Sequence, residues 1–460
     1  MSQRIDLGSR DPAGFLFKLD GIFYRAVEKE YLPHLELVES SGLYGKLLKA
    51  GLILPFEKIP PPPGAPDCAS VLLPEQLSFV SYPCEWSFFQ WKEAALATLD
   101  IQVLAMEHGM SLKDASPYNI QLHKARPVLI DSLSLERHEK GAPWLAYRQF
   151  CEEFLAPLFL AAFKGPELLA AQSFFMRGVP LETASKLLPL SSWFRARSLF
   201  HIHLHAKASR YSESKKLNEK KLEVGKTSLL GLMDGLRSAV SSLSLGTSRS
   251  EWSDYYKSCN YSDEALASKK RLVAEWIDGL ENPPSTAWDF GTNSGEFTNI
   301  LTARGAEVIS LDTDHLCIDH LYRRVRSEKN ILVHPLKADI SSPTPSTGWL
   351  NNERRSLFER GGRRDVVLAL ALIHHLIIGC RVDFRALAGL FAGLGRHLIV
   401  EYVAKEDRQA LRLLRTRPDT YSSYTPENFL KSFGGHFTIL KKEEIPGTGR
   451  TLYLMVNHEA

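Results

Sequence analysis

Short apolar runs alternate with helix-like patterns through the C-terminal part of the chain, residues 251–460. In the helix-like patterns apolar residues recur every three to four positions, whereas the short continuous runs are typical of buried strands. Strands that alternate with helices favour a parallel sheet with helices on both faces. We therefore predict an α/β, Rossmann-like domain here, with strands at 287–290, 308–311, 331–333, 366–372, 398–401 and 452–456.

The N-terminal part shows a mixed pattern. Residues 14–27 form two strand-like runs on either side of Asp20-Gly21, a dipeptide that tolerates the positive φ of a two-residue hairpin turn. The proline-rich residues 60–66 predict a loop, and the helix-spaced apolar residues of 88–110 predict a long helix. We predict an α+β domain over residues 1–208.

Between these two parts, residues 209–250 are rich in Ser and Lys. They contain too few apolar residues to form a core of their own, so we predict a linker with one amphipathic helix at 229–243. We interpret the basic run at 215–226 as a solvated face, with contact to an anionic surface as the alternative. The predicted domains are thus 1–208 and 251–460, joined by this linker.

Composition and charge narrow the class of protein. The chain has 460 residues, of which 44% are hydrophobic and 24% charged, as in a globular protein. A formal net charge of +3 without a basic stripe gives no reason to expect a nucleic-acid partner. The six cysteines show no CxxC spacing, so neither a zinc site nor a disulfide framework is expected. We expect a cytoplasmic protein without a membrane span, since neither a signal peptide nor a sufficiently long apolar run is present. The oligomeric state is not fixed by these features.

Residues 287–298 (AWDFGTNSGEFT) carry the strongest local signal. An apolar strand ends at Asp289, and a glycine-containing turn and a helix follow. Gly291 allows a sharp turn, and Gly295 is expected to let the backbone approach a ligand where a Cβ would collide. The next predicted strand ends at Asp312, whose carboxylate can accept hydrogen bonds from ribose hydroxyls. The spacing therefore favours a nucleoside-containing cofactor.

This segment resembles motif I of class I S-adenosylmethionine-dependent methyltransferases, written D-x-G-x-G-x-G. The chain departs from it at Asn293, although Asn is the residue next best suited to a positive φ. The resemblance implies a mostly parallel seven-stranded sheet, in which the run 452–456 is the antiparallel seventh strand. It also implies S-adenosylmethionine as cofactor, with Asp339 near the adenine amine after the third strand.

Residues 364–376 (RDVVLALALIHHL) resemble the fourth-strand segment of small-molecule methyltransferases and end in His374 and His375. Because ligands bind at the carboxyl ends of parallel strands, either histidine could be a general base. The alternative is that they pack and cap the backbone. Glu401, at the end of the predicted fifth strand, is a further candidate on the acceptor side. Lys269, with the aromatic residues at 252–256 and 260–261, is interpreted as packing rather than as part of a lid.

A second constellation lies in the N-terminal part. Asp114 and Asn119 are five residues apart, and Asp131 follows twelve residues later at the end of an apolar run. This spacing resembles that of the protein-kinase and aminoglycoside-phosphotransferase fold. The resemblance implies Asp114 as catalytic base, Asn119 and Asp131 as Mg²⁺ ligands, and Mg-ATP as cosubstrate. The chain departs from the pattern because Ser-Leu follows Asp131 and no G-x-G-x-x-G loop precedes it. No lysine sits clearly at the ATP-binding position, for which only Arg25 or Lys58 can be nominated. Chance spacing within a helical domain is the alternative.

Over most of its length the chain resembles a two-part family related to the rhizobial nodulation protein NoeA, whose members share the DASPYN-like and HIHLHA-like segments. The main hypothesis is a methyltransferase acting on a small-molecule or glycan-type acceptor, with the N-terminal domain assisting acceptor recognition. One alternative is a bifunctional phosphotransferase–methyltransferase that modifies a polysaccharide or oligosaccharide, and convergence of Asp114, Asn119 and Asp131 would favour it. The other alternative is a non-catalytic binding scaffold.

Overall fold

The computed structural model describes residues 3–4 (backbone only), 11–208, 223–246, 262–415 and 422–459. The aromatic residues at 252–256 and 260–261 lie outside these ranges. The chain divides into two compact units. The first unit comprises Met1–Thr247 and Ser346–Arg355, and the second comprises Ser248–Pro345 and Ser356–Ala460. No helix in the described ranges is both long and apolar enough to cross a bilayer.

The first unit begins with a five-stranded antiparallel sheet. Its strands follow the order β1-β2-β3-β5-β4. The predicted hairpin is confirmed, with Asp20 at φ 49° and Gly21 at φ 87° in its turn, and residues 60–66 form the predicted loop. The strands are β1 (Gln3–Arg4), β2 (Gly14–Leu19), β3 (Ile22–Val27), β4 (Phe56–Ile59) and β5 (Ser70–Pro74).

Helices and two small hairpins complete the first unit. The long helix Phe88–Glu107 begins with a capping box between Ser87 and Gln90. It ends three residues earlier than predicted, where Gly109 adopts φ 73° and the chain enters a strand. The small hairpins pair β6 (Met110–Leu112) with β9 (Leu135–Arg137) and β7 (Ile120–His123) with β8 (Arg126–Leu129). The other helical segments are Lys29–Tyr31, Leu32–Ser40, Leu43–Ala50, Pro83–Glu85, Pro117–Asn119, Tyr147–Phe150, Cys151–Leu155, Ala156–Lys164, Pro166–Ser173, Leu181–Leu187, Leu190–Phe194, Ala196–Ser198, Leu199–Leu204, the helix Lys226–Ser241 described below, and Trp349–Asn351.

The predicted linker contains a helix, Lys226–Ser241, that belongs to the first unit. Leu229, Met233 and Leu236 recur at helical spacing and are buried in the main core of this unit. The helix packs against Phe88–Glu107. This part of residues 209–250 therefore adds to a core, although its apolar content is too low to form one alone.

The second unit is built on a seven-stranded sheet in the order β12-β11-β10-β13-β14-β16-β15. Neighbours from β12 to β14 are parallel, whereas β16 is antiparallel to both β14 and β15. Each of the six predicted strands overlaps a strand of this sheet, although the one predicted at 331–333 shares only Val333 with the observed strand. The strand β15 was not predicted because its inner residues are exposed. The strands are β10 (Thr286–Phe290), β11 (Glu307–Asp312), β12 (Val333–Lys337), β13 (Arg364–Ala369), β14 (Gly395–Val403), β15 (Phe437–Ile445) and β16 (Arg450–Asn457).

The strand order creates a switch point in this sheet. The chain moves outward from β10 through β11 to β12 and then returns to place β13 on the other side of β10. At the carboxyl end of such a pair the flanking loops diverge and leave a crevice, which is where open α/β sheets bind ligands. Helices connect the strands; they are Asp263–Asp278, Glu296–Thr302, His315–Glu328, Leu357–Gly361, His375–Gly379, Phe384–Leu394, Arg408–Leu414 and Pro426–Gly434.

Candidate functional site

A turn with three left-handed residues follows β10 at the switch point. Gly291 has φ 75°, Asn293 φ 50° and Gly295 φ 77°. Asn293 thus adopts the positive φ expected of it in place of the family's middle glycine. A Cβ on Gly291 would lie in ordinary contact, 3.6 Å from Leu372 Cδ1, so its backbone conformation rather than crowding favours glycine there.

Gly295 has a packing role in this structure, in addition to the ligand-approach role predicted from the sequence. A Cβ at this position would lie 2.6 Å from Leu321 Cδ1 and 2.7 Å from Arg324 Nη2, both on the helix His315–Glu328. Arg324 also donates to the Gly295 carbonyl oxygen at 3.3 Å. The missing side chain therefore lets this helix pack closely on the turn.

Asp312, the last residue of β11, lies beside the turn. Its Oδ2 accepts a hydrogen bond from the Asn293 backbone N–H at 2.8 Å, and its Oδ1 accepts one from the Asp314 N–H at 2.9 Å. Burial raises the pKa of Asp312 to about 6, while the two backbone donors act in the opposite direction. The carboxylate is therefore ionised at neutral pH and is fixed by backbone groups at the sheet edge.

The other two acidic candidates of the cofactor motif are occupied within the protein. Asp289 is buried and accepts hydrogen bonds from the hydroxyls of Thr292 at 3.0 Å and Thr298 at 2.6 Å. Burial raises its pKa. Asp339 follows β12 and accepts from the backbone N–H of Ser341 at 2.8 Å and from its hydroxyl at 2.7 Å. Asp289 thus shapes the turn, and Asp339 shapes its own loop.

His374 and His375 follow β13, but their environments differ. His374 is fully buried, and neither of its ring nitrogens has a hydrogen-bond partner among the described residues. Burial, and then the positive charges near it, lower its pKa well below the usual value. His375 is half-buried and begins the π-helix His375–Gly379. Burial, with the charges of Arg450 and Arg412, lowers its pKa to about 4. Both rings are neutral at pH 7, and only His375 is partly accessible to solvent.

Glu401 lies within β14 in a buried charge cluster, which we define as Lys269, Glu401, Asp407 and Arg450. Lys269 Nζ is 2.5 Å from Glu401 Oε2, and Arg450 Nη1 is 3.3 Å from Glu401 Oε1. Arg450 Nε donates to Asp407 Oδ2 at 2.8 Å. The Lys269 ammonium also lies 4.8 Å from the ring centroid of Phe297. Glu401 is therefore held by two cations inside the unit.

Sequence reasoning missed Arg450 and Asp407. Asp407 and Arg450 are 43 residues apart, and Arg450 reaches Glu401 only because β16 pairs with β14. A local pattern contains no signal for such a contact. Lys269 was assigned to packing, which its contact with Phe297 supports, but its ion pair was not anticipated.

In the first unit, Asn119 and Asp131 are joined through a serine. The Asn119 side-chain amide donates to Ser134 Oγ at 3.1 Å, and that hydroxyl donates to Asp131 Oδ2 at 2.7 Å. Asp114 accepts instead from the Gln149 side-chain amide, at 2.6 Å. Two of the three predicted residues are thus brought together, while the described hydrogen bonds of Asp114 run elsewhere.

The arrangement around Asp131 does not fit a magnesium nucleotide. The Oδ1 atom of Asp131 is paired with the Arg25 guanidinium and accepts a hydrogen bond from the Leu133 N–H at 3.2 Å. Its Oδ2 atom accepts a hydrogen bond from the Ser134 hydroxyl. Burial lowers the pKa of Arg25 to about 10, so this side chain is a cation at neutral pH. Within the described ranges, no group of three or more His, Cys, Asp or Glu residues is arranged to hold a metal ion.

The strand order, the left-handed turn and the acidic residue at the end of β11 define the second unit as a Rossmann-like fold of the class I methyltransferase type. No protein-family model matches the chain. The chain is 31% identical to nodulation protein NoeA of Rhizobium meliloti (strain 1021), over 469 positions that cover 98% of this chain and 95% of that protein. It therefore belongs to the NoeA family.

Solved structures similar to this chain match less than half of it. The bifunctional kinase-methyltransferase WbdD has 18% identity and a TM-score of 0.31, covering 45% of this chain and 42% of that protein. The N-methyltransferase NodS from Bradyrhizobium japonicum WM9 has 13% identity and a TM-score of 0.31, covering 43% of this chain and 98% of that protein. Magnesium protoporphyrin IX methyltransferase from Synechocystis PCC 6803, with bound SAH, has 14% identity and a TM-score of 0.32, with coverages of 45% and 92%. At such TM-scores the fold assignment rests on the strand order.

Proposed function

We propose that this protein is an S-adenosylmethionine-dependent methyltransferase acting on a small-molecule or glycan-type acceptor. The observation that carries the proposal is the bond between Asp312 and the Asn293 N–H at the switch point of the sheet. It joins the left-handed turn to a carboxylate that is ionised at neutral pH, which is the combination that binds the ribose of a nucleoside cofactor. Kinship with NoeA covers nearly the whole chain and is compatible with this proposal.

The residues present fit S-adenosylmethionine. The turn residues 291–295 and Asp312 would hold it, and when bound it supplies an electrophilic methyl group. Asp312 uses one oxygen for each of two backbone donors, and a carboxylate has about four acceptor positions, so acceptor capacity remains for ribose hydroxyls. Asp339, by contrast, already accepts two hydrogen bonds from Ser341 on one oxygen, so the proposed contact with adenine would use the other.

On the acceptor side we propose His375 as the general base. It follows β13 at the carboxyl edge of the sheet, is half-buried and is unprotonated at pH 7, as a group must be before it can accept a proton from a hydroxyl or an ammonium acceptor. His374 packs beneath it, with ring centroids 4.1 Å apart. Glu401 positions the strand rather than the acceptor, because both of its oxygens face cations.

The first unit is proposed to assist acceptor recognition. Since the site around Asp131 does not fit Mg-ATP, we assign no phosphotransfer step to it. A small molecule or glycan is the proposed acceptor class because the formal net charge of the whole chain, +3, is not that of a strongly basic nucleic-acid-binding protein.

Titration with S-adenosylmethionine by calorimetry tests the proposal. The wild type should bind, and Asp312→Ala should weaken binding by at least tenfold because the ribose loses an ionised acceptor. Asp278→Ala is the matched control, since it removes an exposed carboxylate that pairs only with Arg304 in the same unit. Equal affinity of Asp312→Ala and wild type would contradict the site. No binding by the wild type would favour the scaffold alternative.

A further inference from the structure

One stretch of the first unit, residues 164–207, exposes large apolar side chains. Phe194 is 89% exposed, Leu190 81% and Phe200 59%, and Leu187 and Leu204 are exposed beside them in sequence. We call these five residues the apolar patch. They lie on three short helical segments, Leu181–Leu187, Leu190–Phe194 and Leu199–Leu204, and the first two each pack against the third. Single exposed apolar residues are common, whereas several on segments that pack against one another are what an interaction site offers.

The same stretch is positively charged. Every Lys and Arg within residues 164–207 is exposed, whereas the stretch holds only two acidic residues, Glu167 and Glu182. The complete chain has a formal net charge of only +3, so the positive charge is concentrated here. The six basic residues are Lys164, Arg177, Lys186, Arg195, Arg197 and Lys207.

A surface pocket lies next to the apolar patch. It has a volume of about 380 Å³ and is lined by Phe159, Arg195, Ala196, Arg197, Ser242 and Leu243. The guanidinium of Arg195 lies 4.8 Å from the ring centroid of Phe163, an arrangement that restricts its orientation. Two guanidinium groups beside apolar side chains are suited to a phosphate diester with a hydrocarbon chain attached.

We propose that this surface docks the protein on an anionic phospholipid bilayer. Leu190 and Phe194 enter the interface between headgroups and acyl chains, and Arg195 and Arg197 bind lipid phosphates. Exposed aromatic and aliphatic side chains combined with clustered basic residues are what an anionic membrane surface attracts. The inference does not depend on the methyltransferase proposal.

Charge argues against the other occupants of this surface. In a two-fold dimer the patch would meet its own copy, and like charges would face one another. The residues that follow in sequence, 209–222, hold five basic and two acidic residues, so they are not complementary to a basic surface either. An anionic bilayer, however, attracts both stretches.

Co-sedimentation of the full-length protein with vesicles tests the proposal. We expect binding to phosphatidylcholine vesicles that contain phosphatidylglycerol, weak binding to pure phosphatidylcholine, and a decline in binding with added salt. The variants L190S/F194S and R195E/R197E should each reduce the partition coefficient roughly tenfold or more. The matched controls are Leu440→Ser on the exposed face of β15 and Arg271→Glu on an exposed helix face, which should bind as the wild type does.

Circular dichroism melting curves of each variant show whether a loss of binding reflects misfolding. If a patch variant melts below the wild type, the conservative variant Phe194→Leu should restore both folding and binding. Several results would overturn the proposal: no binding by the wild type, equal binding to both kinds of vesicle, or unchanged binding by correctly folded patch variants. A dimer in light scattering that dissociates in L190S/F194S, without vesicle binding, would assign the surface to a second copy.

Discussion

The ion pair between Lys269 and Glu401 supports a quantitative test of the second unit. The two side chains are 3% and 0% exposed, and their charged atoms are 2.5 Å apart. Removing one partner of a buried pair costs about 3–5 kcal/mol because the other charge stays buried without compensation. Arg450 still lies 3.3 Å from Glu401 and compensates part of its charge. We therefore expect Lys269→Met, which keeps an unbranched side chain, to lower the free energy of unfolding by about 3 kcal/mol, the lower limit of that range.

The double variant K269M/E401L should recover stability relative to the single variants. It removes both charges and leaves Arg450 paired with Asp407, at 2.8 Å, as a neutral combination. Replacing a buried pair by apolar side chains of similar volume is often neutral or stabilising. We therefore expect K269M/E401L to be more stable than either single variant, with a coupling energy of about 2 kcal/mol or more.

Urea unfolding with hydrogen exchange read on peptides from β14 and β16 measures these free energies in the second unit alone. A local readout is needed because two units need not unfold together. The matched control is Arg271→Ala on the same helix, which removes an exposed partner 3.7 Å from Glu275 and should change stability by less than about 0.5 kcal/mol. The reasoning is refuted if Lys269→Met costs no more than this control, or if the double variant is as unstable as the sum of the singles.

Three further predictions concern the turn, the proposed cofactor-binding carboxylate and the proposed base. Gly295→Ala should lower the free energy of unfolding by about 2–4 kcal/mol, because the new Cβ would clash with the neighbouring helix. The control Gly305→Ala should lower it by about 1 kcal/mol, because Gly305 has a similar φ but open space around it. Equal losses for the two variants in urea unfolding would exclude the clash. The affinity for S-adenosylmethionine should fall as the pH drops through about 6, by up to roughly tenfold per pH unit, because Asp312 becomes protonated. Calorimetry that shows the same affinity from pH 7 down to pH 5 would contradict this prediction. His375→Asn should lower kcat by about 10²–10⁴-fold while the Kd for S-adenosylmethionine stays unchanged, and an unchanged kcat would exclude a base there.

The sequence pattern predicted the features of the fold that depend on local chemistry. The hairpin turn was predicted at the right position from the dipeptide Asp20-Gly21. The positive φ of Asn293 was predicted from the residue type alone. The order of strands along the second unit also agrees with the pattern, since each parallel strand overlaps a short, mainly apolar segment of the sequence. These features are encoded within a few residues of where they occur.

The features that could not be predicted depend on contacts between distant residues. The helix Lys226–Ser241 looked like part of a linker because its apolar face packs against elements that are distant in sequence, mainly the helix Phe88–Glu107. β15 has exposed inner residues and is held by its pairing with β16. The pairing of Arg25 with Asp131 spans 106 residues, and it alters what the second constellation can bind. None of these contacts has a local signature.

The position of a carboxylate relative to the end of its strand explains which acidic residues are free for ligands. Asp312 is the last residue of β11, so its side chain reaches the sheet edge. Asp289 lies one residue before the end of β10 and Glu401 two residues before the end of β14, and both are fully engaged inside the unit. A strand end predicted from sequence can be off by about two residues. A shift of one or two residues is enough to move a carboxylate from the interior of the unit to the edge of the sheet, where a ligand could reach it. The motif therefore points to the carboxyl edge of the sheet, and the exact strand end separates the carboxylate proposed to bind a ligand from those that are held inside the unit.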